Sequence, residues 1–147
     1  MIENASRFFT CYIHVHQNGY WDDKTLDNSF AFNDELMQTI VTTEGVDVAV
    51  PRVESFALAA YGTKTKGAMV MGIDPEKEDL LTLVKSKIVA GEYLKADDKA
   101  VMISAGLAEY LNMQVGDSIV LMGQGYHGVS AIGLYRIKGI MKFPVPI

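Results

Sequence analysis

The sequence predicts an α+β fold of two small lobes, the first a β-α-β-β unit and the second mostly β-stranded with two short helices. Apolar and polar residues alternate over residues 8–16 and in later stretches, which is the two-residue period of half-buried strands. Short helical stretches that begin at capping residues interrupt these strands. The 147 residues, 49% of them hydrophobic, suffice for one ordinary domain or two small lobes.

The first lobe is expected to span residues 1–73 and to begin with the strand at 8–16. One face of this strand is apolar and consists of Phe9, Cys11, Ile13 and Val15. A long strand at 46–60, broken or placed at a sheet edge by Pro51, precedes a turn at 62–67 and a return strand at 68–73. These last two strands are therefore expected to form a β-hairpin.

A helix is expected between the first two strands, over residues 34–43. Asn33 can cap its N-terminus, and Gly45 follows as a stop. Its apolar stripe consists of Leu36, Met37, Ile40 and Val41. The helix should therefore cover one face of the strands.

The second lobe is expected to span residues 74–147. Its first helix begins at Asp74-Pro75-Glu76, which supplies a cap, a proline at the first helical position and an acid in the first turn. The apolar residues of this segment are Leu80, Leu81, Leu83 and Val84, and Gly91 closes it. Strands are expected at 100–103, 118–122 and 129–141, with a second helix at 105–111 that Ser104 caps.

Composition excludes several classes of function. The formal net charge of −5, with no run of Lys and Arg, disfavours a nucleic-acid partner. The single cysteine, Cys11, rules out an intramolecular disulfide and a multi-cysteine zinc site. No run of about eighteen apolar residues is present, so the sequence predicts no transmembrane helix.

No group of residues forms a convincing catalytic, cofactor or metal site. His14 and His16 would lie on one strand face, where two imidazoles can bind a transition metal, but the sequence places no third ligand near them. Ser104 is better explained as a helix cap, since no nucleophile elbow surrounds it. The acid pairs 22–23 and 97–98 lie in loops, where solvated carboxylates keep ordinary properties.

The glycine-rich loop at residues 123–128, with the sequence GQGYHG, is expected to join two strands. It carries no lysine and leads into no helix, so it does not resemble a phosphate-binding loop. Tyr126 and His127 lie at its tip, and an exposed tyrosine between glycines is a plausible partner contact. These two residues are the candidate interaction site.

Six stretches taken together resemble the MacB-type periplasmic core domain of FtsX-like permeases, which include the lipoprotein-releasing LolC and LolE type. They are YIHVHQNGYW at 12–21, VMGIDPE at 70–76, VAGEYL at 89–94, VMIS at 101–104, VGDSI at 115–119 and IKGI at 137–140. Each is short, and their order and spacing over about 130 residues carry the resemblance.

The resemblance implies an extracytoplasmic domain between the first two transmembrane helices of a permease at the bacterial inner membrane. Residues 1–73 would form half of a porter-like lobe, and residues 74–147 would form a sabre-like lobe. In the family, further residues after the position of residue 147 complete the porter lobe. A separate cytoplasmic ATPase hydrolyses ATP in such systems. The expected partners are the membrane-embedded remainder of the permease, that ATPase indirectly, and a lipoprotein, peptide or adaptor protein. The family domain carries no catalytic motif and implies no cofactor.

Two other functions stay open from the sequence. A free-standing ligand-binding module would require an apolar pocket with a few converging polar groups. A small hydrolase or metal enzyme would use His14 and His16, and metal analysis of the purified protein would test it.

Overall fold

The structure is a computed structural model that describes residues 13–142, except for the side chain of Tyr126. Its helices are α1 (Asp34–Val41), α2 (Pro75–Thr82) and α3 (Ala105–Leu111). Its strands are β1 (Arg52–Tyr61), β2 (Lys64–Ile73), β3 (Ile88–Gly91), β4 (Ala100–Ser104), β5 (Ser118–Gln124) and β6 (Ser130–Met141). Short 3₁₀ turns occupy Leu26–Asn28, Val84–Lys87 and Tyr126–Gly128. The predicted α+β class is confirmed.

Strands β1 and β2 form the predicted hairpin. They pair without a register shift from Arg52 opposite Ile73 to Tyr61 opposite Lys64. The pairing of Tyr61 with Lys64 leaves two residues in the turn, and Gly62 adopts φ 58°, which suits the first central position of a type II′ turn. The predicted turn at 62–67 is thus too long, and the predicted strand at 46–60 begins only after Pro51.

All six strands of the described chain belong to one sheet, in the order β2-β1-β5-β6-β3, with β4 also pairing with β6. The first half of β6 pairs with β5, and its second half lies between antiparallel β3 and parallel β4. Because β1 pairs with β5, hydrogen bonds join the two predicted lobes directly. The division at residue 73 stays a prediction.

The hydrophobic core lies between one face of this sheet and helix α3. Its buried members are Ala59, Ile103, Ala108, Leu111, Met113, Ile119, Ile137 and Ile140. The position of α3 follows from local sequence, since the Ser104 hydroxyl accepts a hydrogen bond from the Leu107 N–H at 3.2 Å. Asn112 ends the helix in the left-handed conformation, with φ 57°.

Close backbone contact fixes the second half of β6 against β3. Register shifts in both of its pairings mark β-bulges. Gly91 has φ 76°, and a Cβ at this position would overlap the carbonyl oxygen of Lys138. Glycine is therefore required here both by conformation and by space.

Helix α2 begins as predicted, with the Asp74 side chain accepting from the Lys77 N–H at 3.3 Å. Its inward side is partly polar, because Glu78 is only 5% exposed and forms an ion pair with Arg52. Leu83 ends the helix with φ 54°. Leu80, within the helix, and Leu83, at its end, are both exposed, so their assignment to the apolar stripe is wrong.

Two expectations for the N-terminal part are wrong. Residues 13–17 form no strand, and Ile13 and Val15 are 81% and 62% exposed, while residues 8–12 lie outside the described part. Helix α1 is capped by Asn33 as predicted, but none of its residues is buried. It has no sheet to cover in the described structure, because neither 13–16 nor 46–51 forms a strand.

Strand β3 was not expected. It contains four residues and ends at a glycine with positive φ, so it carries too little alternation for a sequence pattern. Its place beside β6 depends on tertiary pairing.

Candidate interaction surface

The loop between β5 and β6 forms the tip of a long hairpin. The Gly125 N–H donates to the Val129 carbonyl at 2.6 Å and closes the loop. His127 and Gly128 within it adopt positive φ values of 56° and 74°. Tyr126 and His127 therefore lie in a tight turn at the end of the hairpin, in the loop that the sequence predicted.

The tip is attached to an N-terminal strap, here defined as residues 13–33. The backbone N–H of His127 donates to Asp27 Oδ1 at 2.7 Å, and His127 Nδ1 lies 3.7 Å from the same oxygen. The imidazole itself is largely exposed. At its other end the strap contacts α2, where Lys77 Nζ lies 5.6 Å from the centre of the Phe32 ring.

The sheet face opposite α3, here called the outer face, is apolar and largely uncovered. Strand register places on it Phe56, Leu58, Met69, Met122, Ile132 and Leu134. Phe56, Ile132 and Leu134 are 62%, 73% and 68% exposed. A contiguous apolar surface beside an exposed tip is typical of an interaction site.

A shallow groove joins the outer face to the hairpin tip. It is lined by Leu58, Met122 and Ile132 from the face and by Gln124 and Gly128 from the tip. The groove is open to solvent, as is a second depression in the strap that His14, His16 and Trp21 line. The groove can accommodate a side chain or a segment of a partner along the sheet.

His14 and His16 belong to an aromatic stack in the strap. The rings of His16 and Tyr20 stack with centroids 4.6 Å apart, and Trp21 contacts His16 edge-on at 5.1 Å. The Tyr20 hydroxyl donates to Glu54 Oε2 at 3.1 Å. Burial first, and then this carboxylate, raise the pKa of Tyr20. The stack thus fixes the strap to strand β1.

The candidate metal pair His14 and His16 stays together, with ring centroids 5.6 Å apart. Between residues 13 and 142 no three His, Cys, Asp or Glu side chains come close enough to hold a metal ion. Ser104 caps α3 as expected, and Cys11 lies outside the described residues. Asp98 forms an ion pair with Lys138 and accepts a hydrogen bond from the Lys95 N–H at 2.7 Å. These hydrogen bonds, chiefly the one from Lys138, lower the pKa of Asp98.

Sequence reasoning missed the outer face. The signal was present in β6, where Ile132 and Leu134 alternate with residues of the opposite face that include the fully buried Ile137. Apolar residues on both faces of a strand indicate that both faces meet other surfaces.

No helix within residues 13–142 has the length and apolar character needed to cross a bilayer.

Comparisons with known proteins identify similar domains in membrane transport systems. Residues 2–146 match the family described as MacB-like periplasmic core domain. An 84-residue stretch, 56% of this chain, is 32% identical to the lipoprotein-releasing system transmembrane protein LolC of Xylella fastidiosa (strain 9a5c) and spans 20% of that protein.

Two solved structures share the fold. The extracellular domain of the noncanonic ABC-type transporter YknZ from Gram-positive bacteria aligns with TM-score 0.56 and 16% identity. The alignment covers 78% of this chain and 59% of that one. The periplasmic region of MacB from Actinobacillus actinomycetemcomitans aligns with TM-score 0.53 and 16% identity over 87% of this chain and 58% of that one. The chain therefore spans less than two thirds of each relative.

Proposed function

Because the chain belongs to the family of MacB-like periplasmic core domains, we propose that it is the extracytoplasmic, non-catalytic domain of an ABC-transporter permease. The family match over residues 2–146 is the observation that carries this proposal. The domain would couple ATP hydrolysis by a cytoplasmic ATPase to the handling of a cargo or adaptor on the outer side of the membrane.

The cargo proposed is a lipoprotein, with a peptide or adaptor protein as the other possible partners. Similarity to a LolC protein supports the lipoprotein. The proposed contact is the β5–β6 tip with Tyr126 and His127, supported by its exposed position beside an apolar face. The porter-like lobe at 1–73 and the sabre-like lobe at 74–147 are part of the same proposal.

The proposal is tested with the full permease and its ATPase in proteoliposomes that contain a labelled lipoprotein. The double variant Tyr126→Ala/His127→Ala should lower lipoprotein transfer to a soluble acceptor while basal ATP hydrolysis stays unchanged. The matched control is Thr63→Ala in the turn of the other hairpin, which should leave transfer unaffected. Equal transfer by the tip variant and the control would refute the tip contact.

A failure of the permease assignment would look different. In that case the gene that encodes residues 1–147 would carry no membrane-spanning segments around them, and no ATPase would co-purify with its product. A peptide or adaptor as cargo would instead leave lipoprotein transfer absent from the wild-type system although ATP hydrolysis is present.

A further inference from the structure

A tight turn in the N-terminal strap presents an asparagine followed by a glycine. The Tyr20 N–H donates to the Gln17 carbonyl at 3.1 Å, so Asn18 and Gly19 are the two central residues of this turn. Gly19 has φ 89°, a value that favours glycine, and a Cβ at this position would meet no atom within 4 Å. Asn18 itself is exposed. The peptide bond between them is therefore accessible and sterically unobstructed.

The two groups of this dipeptide that can react with each other are not held by other contacts. Within residues 13–142, neither the Asn18 side chain nor the Gly19 N–H makes a hydrogen bond. Glycine also lacks the side chain that would crowd the approach of its nitrogen to the preceding side chain. The Gly19 nitrogen can therefore reach the side-chain amide carbon of Asn18 by rotation of a flexible backbone.

The other three asparagines of the described residues are restrained. The Asn28 side chain donates to the Asp23 carbonyl at 2.6 Å, and Asn33 Oδ1 caps α1 by accepting a backbone N–H at 2.7 Å. After Asn112, the N–H of the buried Met113 donates to a carbonyl of α3 at 2.8 Å. None of the three is followed by glycine. The turn asparagine thus differs from them both in its neighbour and in its freedom to move.

We propose that Asn18 is a site of spontaneous modification, at which the Gly19 nitrogen attacks the Asn18 side-chain amide. The nitrogen loses its proton and forms a bond to Asn18 Cγ, while the Cγ–Nδ2 bond breaks and Nδ2 leaves as ammonia with that proton. The product is a five-membered cyclic imide. Water then opens this ring, and attack at Cγ gives aspartate, whereas attack at the main-chain carbonyl carbon gives isoaspartate. Nothing is oxidised or reduced, and water is the sole co-reactant.

The modification would loosen the attachment of the strap to β1. In isoaspartate the main chain runs through Cγ, which adds one methylene group to the turn that positions Tyr20. The Tyr20 ring stacks on His16 at 4.6 Å, and its hydroxyl donates to Glu54 at 3.1 Å. Either product also adds a negative charge to a segment that already carries Asp22 and Asp23. The inference concerns the chain itself and does not depend on the proposed transport function.

Incubation of the folded chain in mildly alkaline buffer, followed by peptide mass spectrometry that separates aspartate from isoaspartate, tests the site. Asn18 should be converted at least about ten times faster than Asn28 or Asn112, which corresponds to a barrier lower by about 1.4 kcal/mol. Conversion should be slower in mildly acidic buffer, because the attacking nitrogen must lose its proton. This comparison is made within the wild-type chain and requires no variant.

The variant Asn18→Gln is the matched control for the effect on the strap. It keeps the amide but would require a less favourable six-membered ring, so position 18 should stay unconverted over the same time. Nuclear magnetic resonance of the aged wild type should show smaller ring-current shifts for Tyr20 and His16, because their stacking is lost. The aged Asn18→Gln chain should keep the shifts of the fresh protein.

Two outcomes would overturn the proposal. Conversion of Asn18 that is no faster than that of Asn28 and Asn112 would refute the site. Full conversion of Asn18 with ring-current shifts equal to those of the aged Asn18→Gln chain would refute the loosening of the strap.

Discussion

The ion pair between Arg52 and Glu78 should be a major contribution to the attachment of helix α2. Arg52 Nε donates to Glu78 Oε2 at 3.0 Å, and a second contact joins Arg52 Nη2 to Oε1. The two side chains are only 11% and 7% exposed. Removing one partner would leave the other charge buried without its counterion, which costs about 3–5 kcal/mol.

The substitution Arg52→Met tests this contribution, because methionine keeps much of the side-chain volume and removes the charge. We expect the free energy of unfolding to fall by about 3 kcal/mol, the lower end of that range, since neither side chain is completely buried. At roughly 3 °C per kcal/mol for a chain of this size, Tm should fall by about 10 °C. Urea unfolding followed by circular dichroism measures the free energy.

The double variant Arg52→Met/Glu78→Leu is the decisive control. Replacing both charges by apolar groups removes the desolvation penalty together with the pair, so stability should return to within about 1 kcal/mol of the wild type. A loss below about 1 kcal/mol in the single variant would show that the pair is solvated. A double variant as unstable as the single one would show that packing, and not charge, holds α2.

Three further predictions concern the core, the close contact and the acidic end of the pH range. Gly91→Ala should lower the free energy of unfolding by at least ~2 kcal/mol, because the added Cβ overlaps the Lys138 carbonyl and the φ is strained. Gly106→Ala, in open space within α3, should raise the free energy of unfolding by up to ~1 kcal/mol. Urea unfolding compares the two variants. Leu111→Ala in the core should lower the free energy of unfolding by about 3 kcal/mol. Leu134→Ala on the exposed outer face should lower it by less than about 1 kcal/mol. The folded-state pKa of Asp98 lies below its unfolded value near ~3.9, so its stabilisation is full above about pH 4 and is lost as the pH falls through the lowered pKa. Asp98→Asn should therefore lower Tm at pH 6, and its difference from the wild type should shrink as the pH falls through the lowered pKa; a difference that does not shrink on acidification would contradict this reasoning.

Signals contained within a few neighbouring residues were predicted well from the sequence. Asn33, Asp74 and Ser104 each accept the expected hydrogen bond from the residue three positions later. A cap depends on local geometry alone, so its signature survives in the sequence. For the same reason the starts of α1, α2 and α3 were predicted correctly. The end of α3 at Leu111 was also predicted, whereas α1 ends two residues before the predicted 43.

Features that depend on distant partners were not predictable. Glu78 has the sequence pattern of an exposed helix residue, and only the folded chain brings Arg52 to it from 26 positions away. Ile13 and Val15 show the alternation of a strand, yet alternation does not ensure pairing with a neighbour. The tip loop could be located from its glycines, but its contact with Asp27 joins residues 100 positions apart.

Strand β6 has a consequence for dissecting the protein into fragments. Its twelve residues hydrogen-bond to three different strands. Two of them, Ile137 and Ile140, belong to the same buried core cluster as Ala59 of β1. Expressing residues 1–73 alone would leave β1 without β5 and would expose the core side of the hairpin. Neither predicted lobe should therefore fold when it is expressed alone. The whole chain should unfold on heating in a single cooperative transition.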